Sequence, residues 1–298
     1  VSGFSTEVNN VMSIFTRNDA YMLYGTSSAD WELRKFHAGA GAIPYTLQKM
    51  DQTFFLDDRG ITSIFTVQYF GDFQSAVASD KIDPYIQSKK DNATDSIKVR
   101  AKNQYRLYFD DKTGVEMTFI NKKNQGLMPF TLSHQINCTV SAEDANGFEV
   151  LYGGFDDGYV RRLDSGTSFD GETVDSFIRT TYYHYNSPGM RKRFRELSLE
   201  INADTSTTLT VTPSYDFGGT YTPKTSPVSS SYSVTVAADQ WSEADISNSS
   251  TGITVVASER VRINGIGTNM GFIISNSSIY DKPITLQGGI VEFSNRGV

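Results

Sequence analysis

A single cysteine, Cys138, in 298 residues excludes an intrachain disulfide. It stands in the alternating run "HQINCTV" with no activating pair beside it, and reads as a small strand residue rather than a nucleophile. Histidine is nearly as scarce: His37, His134 and His184 lie far apart and lack the paired spacing of a zinc site. No apolar run approaches the length of a membrane span, so this chain is expected not to insert in a membrane. The first residues, "VSGFSTEVNN", carry neither a Met nor a charged-then-apolar leader, which leaves processing, trimming and a longer parent protein open. Basic residues are in deficit, 27 Lys and Arg against 34 Asp and Glu, for a net charge of −7. That balance argues against a broad sequence-independent grip on nucleic acid, though not against a surface along which DNA passes.

The motifs of common catalysts are missing as well. "GIGTNMG" (Gly265, Gly267, Gly271) has one residue too many for a dinucleotide fingerprint and runs into another strand, not a helix. "GAGAIP" at 39–44 reads as a loop. "DDKTGVE" alternates oxygen ligands but lacks the length and closing Glu of a calcium loop. No Gly-x-Ser-x-Gly elbow or Walker loop occurs. The expectation is a chain with no catalytic residue, no metal and no cofactor.

What is plentiful is aromatic: 16 Tyr and 19 Phe, set among Ser, Thr and Gly, a mixture that favours strands and tight turns. "NVMSIFTRNDAYMLYG" gives two apolar runs split by Arg17-Asn18-Asp19. The design repeats around Asp57-Asp58-Arg59-Gly60, around Asp110 to Gly114, and around Asp156-Asp157-Gly158. From Asp57 to Asp110 is 53 residues and from Asp110 to Asp156 is 46, close to the period of a four-stranded propeller blade. Asp bonds its own backbone and Gly accepts positive φ, so Asp57, Gly60, Asp110, Gly114, Asp157 and Gly158 are read as structural turn residues. "SAVASDKIDPYIQSKKDNATDS" is the best helical stretch, cut short by Pro84, and should cross between blades with Ile82 and Ile86 on the sheet.

Beyond residue 180 the texture shifts to Ser- and Thr-rich alternating strands: "TTLTVTPSYDFG", "SSYSVTVAAD", "GITVVASERVRING", "GFIISNS" and "ITLQGGIVEFSN". The predicted fold is all-β: propeller-like blades over 1–185, fewer than a closed propeller usually needs, then a small β-sandwich over 186–298. "MRKRFRE" is the sharpest charge feature. On a strand, Arg191, Arg193 and Arg195 share one face while Lys192 and Phe194 take the other. Three guanidinium groups in a row suit an acidic protein neighbour or a phosphate; the alternative is a solvated strand face.

The stretch "VLYGGFDDGYVRRLDSGTSFDGETVDSFIRTTYYHYNSPGMRKRFRELSLEI" resembles a segment of the tail hub or nozzle proteins of short-tailed bacteriophages. The residues that carry it are Asp157, Gly158, Tyr159, Leu163, Asp164, Ser165, Gly166, Thr167, Asp170 and Gly171, then Lys192, Arg193 and Phe194. "TFFLDDRGITSI" and "SDKIDPYI" resemble the family's blade strands and short helix, so the likeness spans roughly 45–200 and is looser elsewhere. The resemblance implies a structural part of the virion: a ring of copies, typically six, that extends the DNA channel below the portal and adaptor toward distal tail or fibre proteins. Double-stranded DNA would pass through its lumen without sequence-specific binding, and an acidic lumen would keep DNA from sticking. The alternative is a glycan-binding or sialidase-like propeller. Tyr-rich surfaces suit sugars, and Tyr159, Arg161 and Arg162 stand close together, but an Asp-box ending in Trp is absent. On the primary reading the stretch 152–172 is a blade corner.

Overall fold

The computed structural model describes residues 1–6, 11–39, 41–64, 77–120, 123–203, 207–218, 232–236, 257–279 and 284–296. The chain divides into two compact units, Val1–Ser165 and Gly166–Val298. The division expected at 185/186 thus falls earlier, and the strand over 174–179 belongs to the second unit through its pairing there.

The first unit is four antiparallel meanders in series. Strands β1 (Gly3–Thr6), β2 (Met12–Phe15), β3 (Asp19–Tyr24) and β4 (Glu32–Ala38) form one sheet in chain order. β5 (Gln48–Lys49), β6 (Thr53–Leu56) and β7 (Ile61–Ser63) form the next. β8 (Ala93–Val99), β9 (Gln104–Phe109), β10 (Thr113–Ile120) and β11 (Lys123–Thr131) form the third, and β12 (Ile136–Glu143), β13 (Glu149–Phe155) and β14 (Val160–Leu163) the fourth. Each sheet follows the up-and-down order of a propeller blade. β7 ends at Ser63, and residues 65–76 lie outside the described residues.

The faces of these sheets pack on one another in sequence order. Phe15, Ala20 and Met22 of the first sheet meet Phe55 of the second. Phe54, Leu56 and Ile61 meet Tyr105, Leu107 and Phe109 of the third. Tyr108 with Ile97 and Val99 then meets Ile136, Leu151 and Phe155 of the fourth. Strand β9 is therefore buried on both sides, odd residues toward one sheet and even residues toward the other, and all six of its residues are buried. That explains why "QYRLYF" carries large side chains at every position rather than at alternate ones.

All four turn signals fall between the second and third strands of their sheets, so the recurrence at 53 and 46 residues is the period of equivalent corners. Asp57 accepts from the N–H groups of Arg59 and Gly60, and Gly60 adopts φ +143°. Asp157 accepts from the Tyr159 N–H, and Gly158 adopts φ +84°. One position needs correcting. At the third corner Lys112 takes the positive φ of 67°, and Gly114 already belongs to β10. Its lack of a side chain serves packing: a Cβ there would lie 2.3 Å from the Phe130 ring. Asp110 opens this corner, while Asp111 accepts from Thr113.

Between the second and third sheets runs α1 (Asp83–Lys89), with Pro84 in its first turn, where a missing N–H costs nothing. Ile86 is fully buried and Ile82 packs beside it, as the sequence pattern required. No described helix is long and apolar enough to cross a membrane.

The second unit is two facing sheets. One is ordered β15 (Val174–Arg179), β20 (Met270–Ser278), β17 (Thr207–Tyr215), β18 (Tyr232–Val236). The other is β19 (Ala257–Gly267), β16 (Lys192–Ala203), β21 (Ile284–Asn295). Between them lie Phe194, Leu197, Leu199 and Ile201 of β16 with Leu209, Val211, Val261, Ile263, Met270 and Ile274. This is a β-sandwich core built from alternate residues. The part of the expected strand at 253–256 lies outside the described residues.

Candidate functional site: the basic strand of the second unit

Strand β16 separates its charges by face. Lys192 and Phe194 are fully buried, whereas Arg193 and Arg195 are exposed and Arg191 is half-buried just before the strand. A bulge between Phe194 and Glu196 resets the alternation, so that Leu197, Leu199 and Ile201 continue the core face. Without it, the apolar run would turn outward after Arg195.

The buried Lys192 is satisfied in full. Its ammonium donates to the carbonyls of Ser187 at 2.5 Å, Met190 at 3.1 Å and Thr268 at 3.1 Å. Three donors meet three acceptors, which is what keeps a charge tolerable in a core. The Ser187-Pro188-Gly189 turn thus serves to deliver carbonyls to this side chain. Phe194 stacks on Tyr215 at 5.6 Å, and Gly265 makes room for that ring, since a Cβ there would lie 1.9 Å from it. The glycines of "GIGTNMG" therefore serve packing: Gly265 and Gly267 admit Tyr215 of β17, and Gly271 lies against the backbone of Thr180 and Thr181.

The outer face gathers more cations than the sequence reading named. Arg260 and Arg262 of β19 are exposed, and their positions oppose Ser198 and Glu196 of β16. On the other side Glu196 opposes Glu292 of β21. Arg260 reaches Glu196 at 3.6 Å; Arg193, Arg195 and Arg262 have no ion pair among the described residues. Arginines at 193, 195 and 262 thus present uncommitted forks on one sheet face, suited to carboxylates or phosphates. The signal for Arg260 and Arg262 was the i, i+2 spacing in "ERVRING", visible as strand alternation.

Arg191 lines a small concavity with Asp216, Phe217, Thr268 and Asn269. Asp216 and Phe217 adopt φ of 50° and 60°, a left-handed pair without glycine. Asp216 accepts from the N–H and hydroxyl of Thr268 at 2.7 and 2.8 Å, and the buried Asn269 accepts from the Phe217 N–H at 3.2 Å. Phe217 is held outward, 64% exposed, with the rings of Tyr182 and His184 at 5.2 and 5.8 Å.

The other sequence candidates resolve as architecture. Asp157 pairs with Arg161 through two bonds, 2.9 and 2.6 Å, and Arg161 lies over the Phe155 and Tyr159 rings. Arg162, the next residue, is exposed. His134 stands 3.6 Å from Asp156. Cys138 is exposed on β12. The side chain of His37 lies outside the described residues. No group of three or more potential metal ligands occurs among the described residues.

No family model matches the chain. No curated protein matches it either. Among solved structures, it is similar to an exo-β-1,3-galactanase from Phanerochaete chrysosporium crystallised with β-1,3-galactotriose. The likeness is 10% identity over 95% of this chain and 78% of that one, with a TM-score of 0.25. One expectation is corrected by this: the solved structure it resembles is an enzyme, so an absence of catalysis is not a property to assign to this chain. At that TM-score the likeness carries no active site or substrate across.

Proposed function

We propose that the chain is a structural module of a short-tailed bacteriophage tail, one copy in a ring that extends the DNA channel between portal or adaptor and the distal tail proteins. The observation that carries the reading is the run from Asp157 to Gly171. Five of the residues on which the resemblance rests have unusual backbone demands: Gly158, Asp164, Gly166, Asp170 and Gly171 have φ between 53° and 92°. Thr167 anchors the run by donating to the Ile279 carbonyl at 2.8 Å. Asp164 pairs with Arg106. A motif composed of such positions specifies a shape, and a likeness in it is a likeness of architecture. In this reading the Arg193, Arg195 and Arg262 face meets an acidic surface of a neighbouring protein, and the DNA-facing surface lies elsewhere.

A second reading, glycan binding, is favoured by one observation. Phe217 is an exposed ring flanked by Tyr182 and His184 beside the polar groups of Asp216, Asn269 and Arg191, a combination that suits a sugar face and its hydroxyls. Quantitative peptide mass spectrometry on purified phage particles, with a glycan array on the isolated protein, separates the two. The tail reading expects a few copies per particle, near the portal's number. Absence from particles, with array binding lost on Phe217→Ala, would replace it with the second.

A further inference from the structure

Among the described residues strand β15 is an edge without a cover. It ends its sheet, every residue from Asp175 to Arg179 is exposed, and Phe177 is 74% exposed. Natural edges are blunted by proline, by charge or by a covering element; among the described residues this one has neither proline nor cover, and its two charges, Asp175 and Arg179, are of opposite sign.

The direction of its free backbone groups follows from its pairing. The Thr180 N–H donates to the Phe272 carbonyl at 3.0 Å, and the register to β20 runs without a shift from Val174 to Arg179. In an antiparallel ladder alternate residues turn both backbone groups to the same neighbour. Val174, Ser176 and Ile178 therefore bond β20, and Asp175, Phe177 and Arg179 turn their N–H and C=O outward. The same three side chains share the outer face, since Ile178 lies beside Ile274 and Val211 on the core face.

That outward set is self-complementary. Asp175 and Arg179 stand two residues either side of Phe177, and neither has an ion-pair partner among the described residues. We propose that β15 pairs antiparallel with β15 of a second copy of this chain, centred on Phe177. In that register Phe177 opposes Phe177 of the second copy, and Asp175 opposes Arg179 in both directions. The pair gains backbone hydrogen bonds from all three outward residues, two opposite-charge contacts and one aromatic contact on a single face. A shift by one residue would turn inward-bonding residues to the edge, and a shift by two would set charge against apolar side chains. The contact closes at two copies and does not by itself build a ring, so it stands or falls apart from the tail reading.

Sedimentation equilibrium of the full chain tests it. The wild type should show a monomer–dimer equilibrium. Asp175→Arg and Arg179→Asp, each placing like charges opposite one another, should weaken it by about tenfold or more. The two single variants mixed should associate, and the double variant Asp175→Arg with Arg179→Asp should regain self-association. Because both residues are exposed, far-UV circular dichroism should be unchanged in each. A wild type that stays monomeric, single variants that associate as it does, or a double variant that fails to regain association would each overturn the proposal.

Discussion

The two units employ their arginines in opposite ways. In the first, Arg17 bonds Asp58, Arg34 bonds Glu32, Arg100 reaches Glu143 and Glu149, Arg106 grips Asp164, and Arg161 grips Asp157. In the second, Arg260 touches Glu196, while Arg179, Arg193, Arg195 and Arg262 have no ion pair among the described residues. The difference follows from size. Four small sheets leave many corners between thin apolar layers, and charged pairs fasten them: Arg17 of the first corner bonds Asp58 of the second, and Lys89 of α1 bonds Asp111 of the third. The sandwich closes over one continuous apolar core, and among the described residues it shows no such fastened corners. Four of its arginines accordingly stand without an ion pair among the described residues.

The largest expected effect tests the fastening. Arg106 is 8% exposed at its side chain, with Asp164 at 2.7 Å and Glu116 at 3.4 Å. Asp164→Asn keeps a residue that tolerates the observed φ of 53° and removes the charge. Stripping one partner from a buried pair costs about 3–5 kcal/mol; with Glu116 remaining and an amide oxygen still accepting, the loss should be about 2–3 kcal/mol. Urea unfolding followed by hydrogen exchange should place that loss in the first unit, with Arg162→Ser as a neutral control. Equal loss in both units would break the comparison.

Acid should act next, and with two signs. The bond from Arg161 holds the Asp157 carboxyl at about 2, below its ordinary 3.8. Burial pushes Asp164 up, but its bonds from Arg106 and Lys102 outweigh that and leave it lowered. Groups with depressed values add stability that is complete above the ordinary carboxylate range and is lost as pH falls through their folded values. Burial raises Asp57 and Asp95, so these two instead favour the fold as they take up protons. Going down from neutral, the first unit should hold or gain slightly, then lose stability between about pH 4 and 2. The midpoint in urea against pH reads it directly. A first unit whose midpoint stays level through that window would show that these pairs contribute little.

Much of this comparison was legible in the sequence, and the rest was not for local reasons. The corners announced themselves because Asp and Gly carry their demands alone. Gly114 was misplaced because a glycine that admits the Phe130 ring looks no different from one that turns a chain. The boundary was set too late because "TVDSFIRTTYYHY" alternates like any blade strand, and its partner β20 lies almost a hundred residues away. Arg191, Arg193 and Arg195 could be aligned from spacing. That Lys192 between them is caged by three carbonyls could not, since those carbonyls come from a turn and a distant loop.

The smallest effect on stability should come where the surface is most charged. Arg193→Ser and Arg262→Ser remove exposed side chains without ion pairs among the described residues, so each should shift unfolding by less than about 0.5 kcal/mol. The pair together should do little more, since nothing buried is left unsatisfied. Their effect belongs to association: binding to an immobilised acidic polypeptide should fall in the double variant, and in the wild type should weaken as salt rises. The opposite result, a large stability loss with binding intact, would mean that these arginines are spent inside the fold as those of the first unit are. The contrast between fastened and free cations would then be gone.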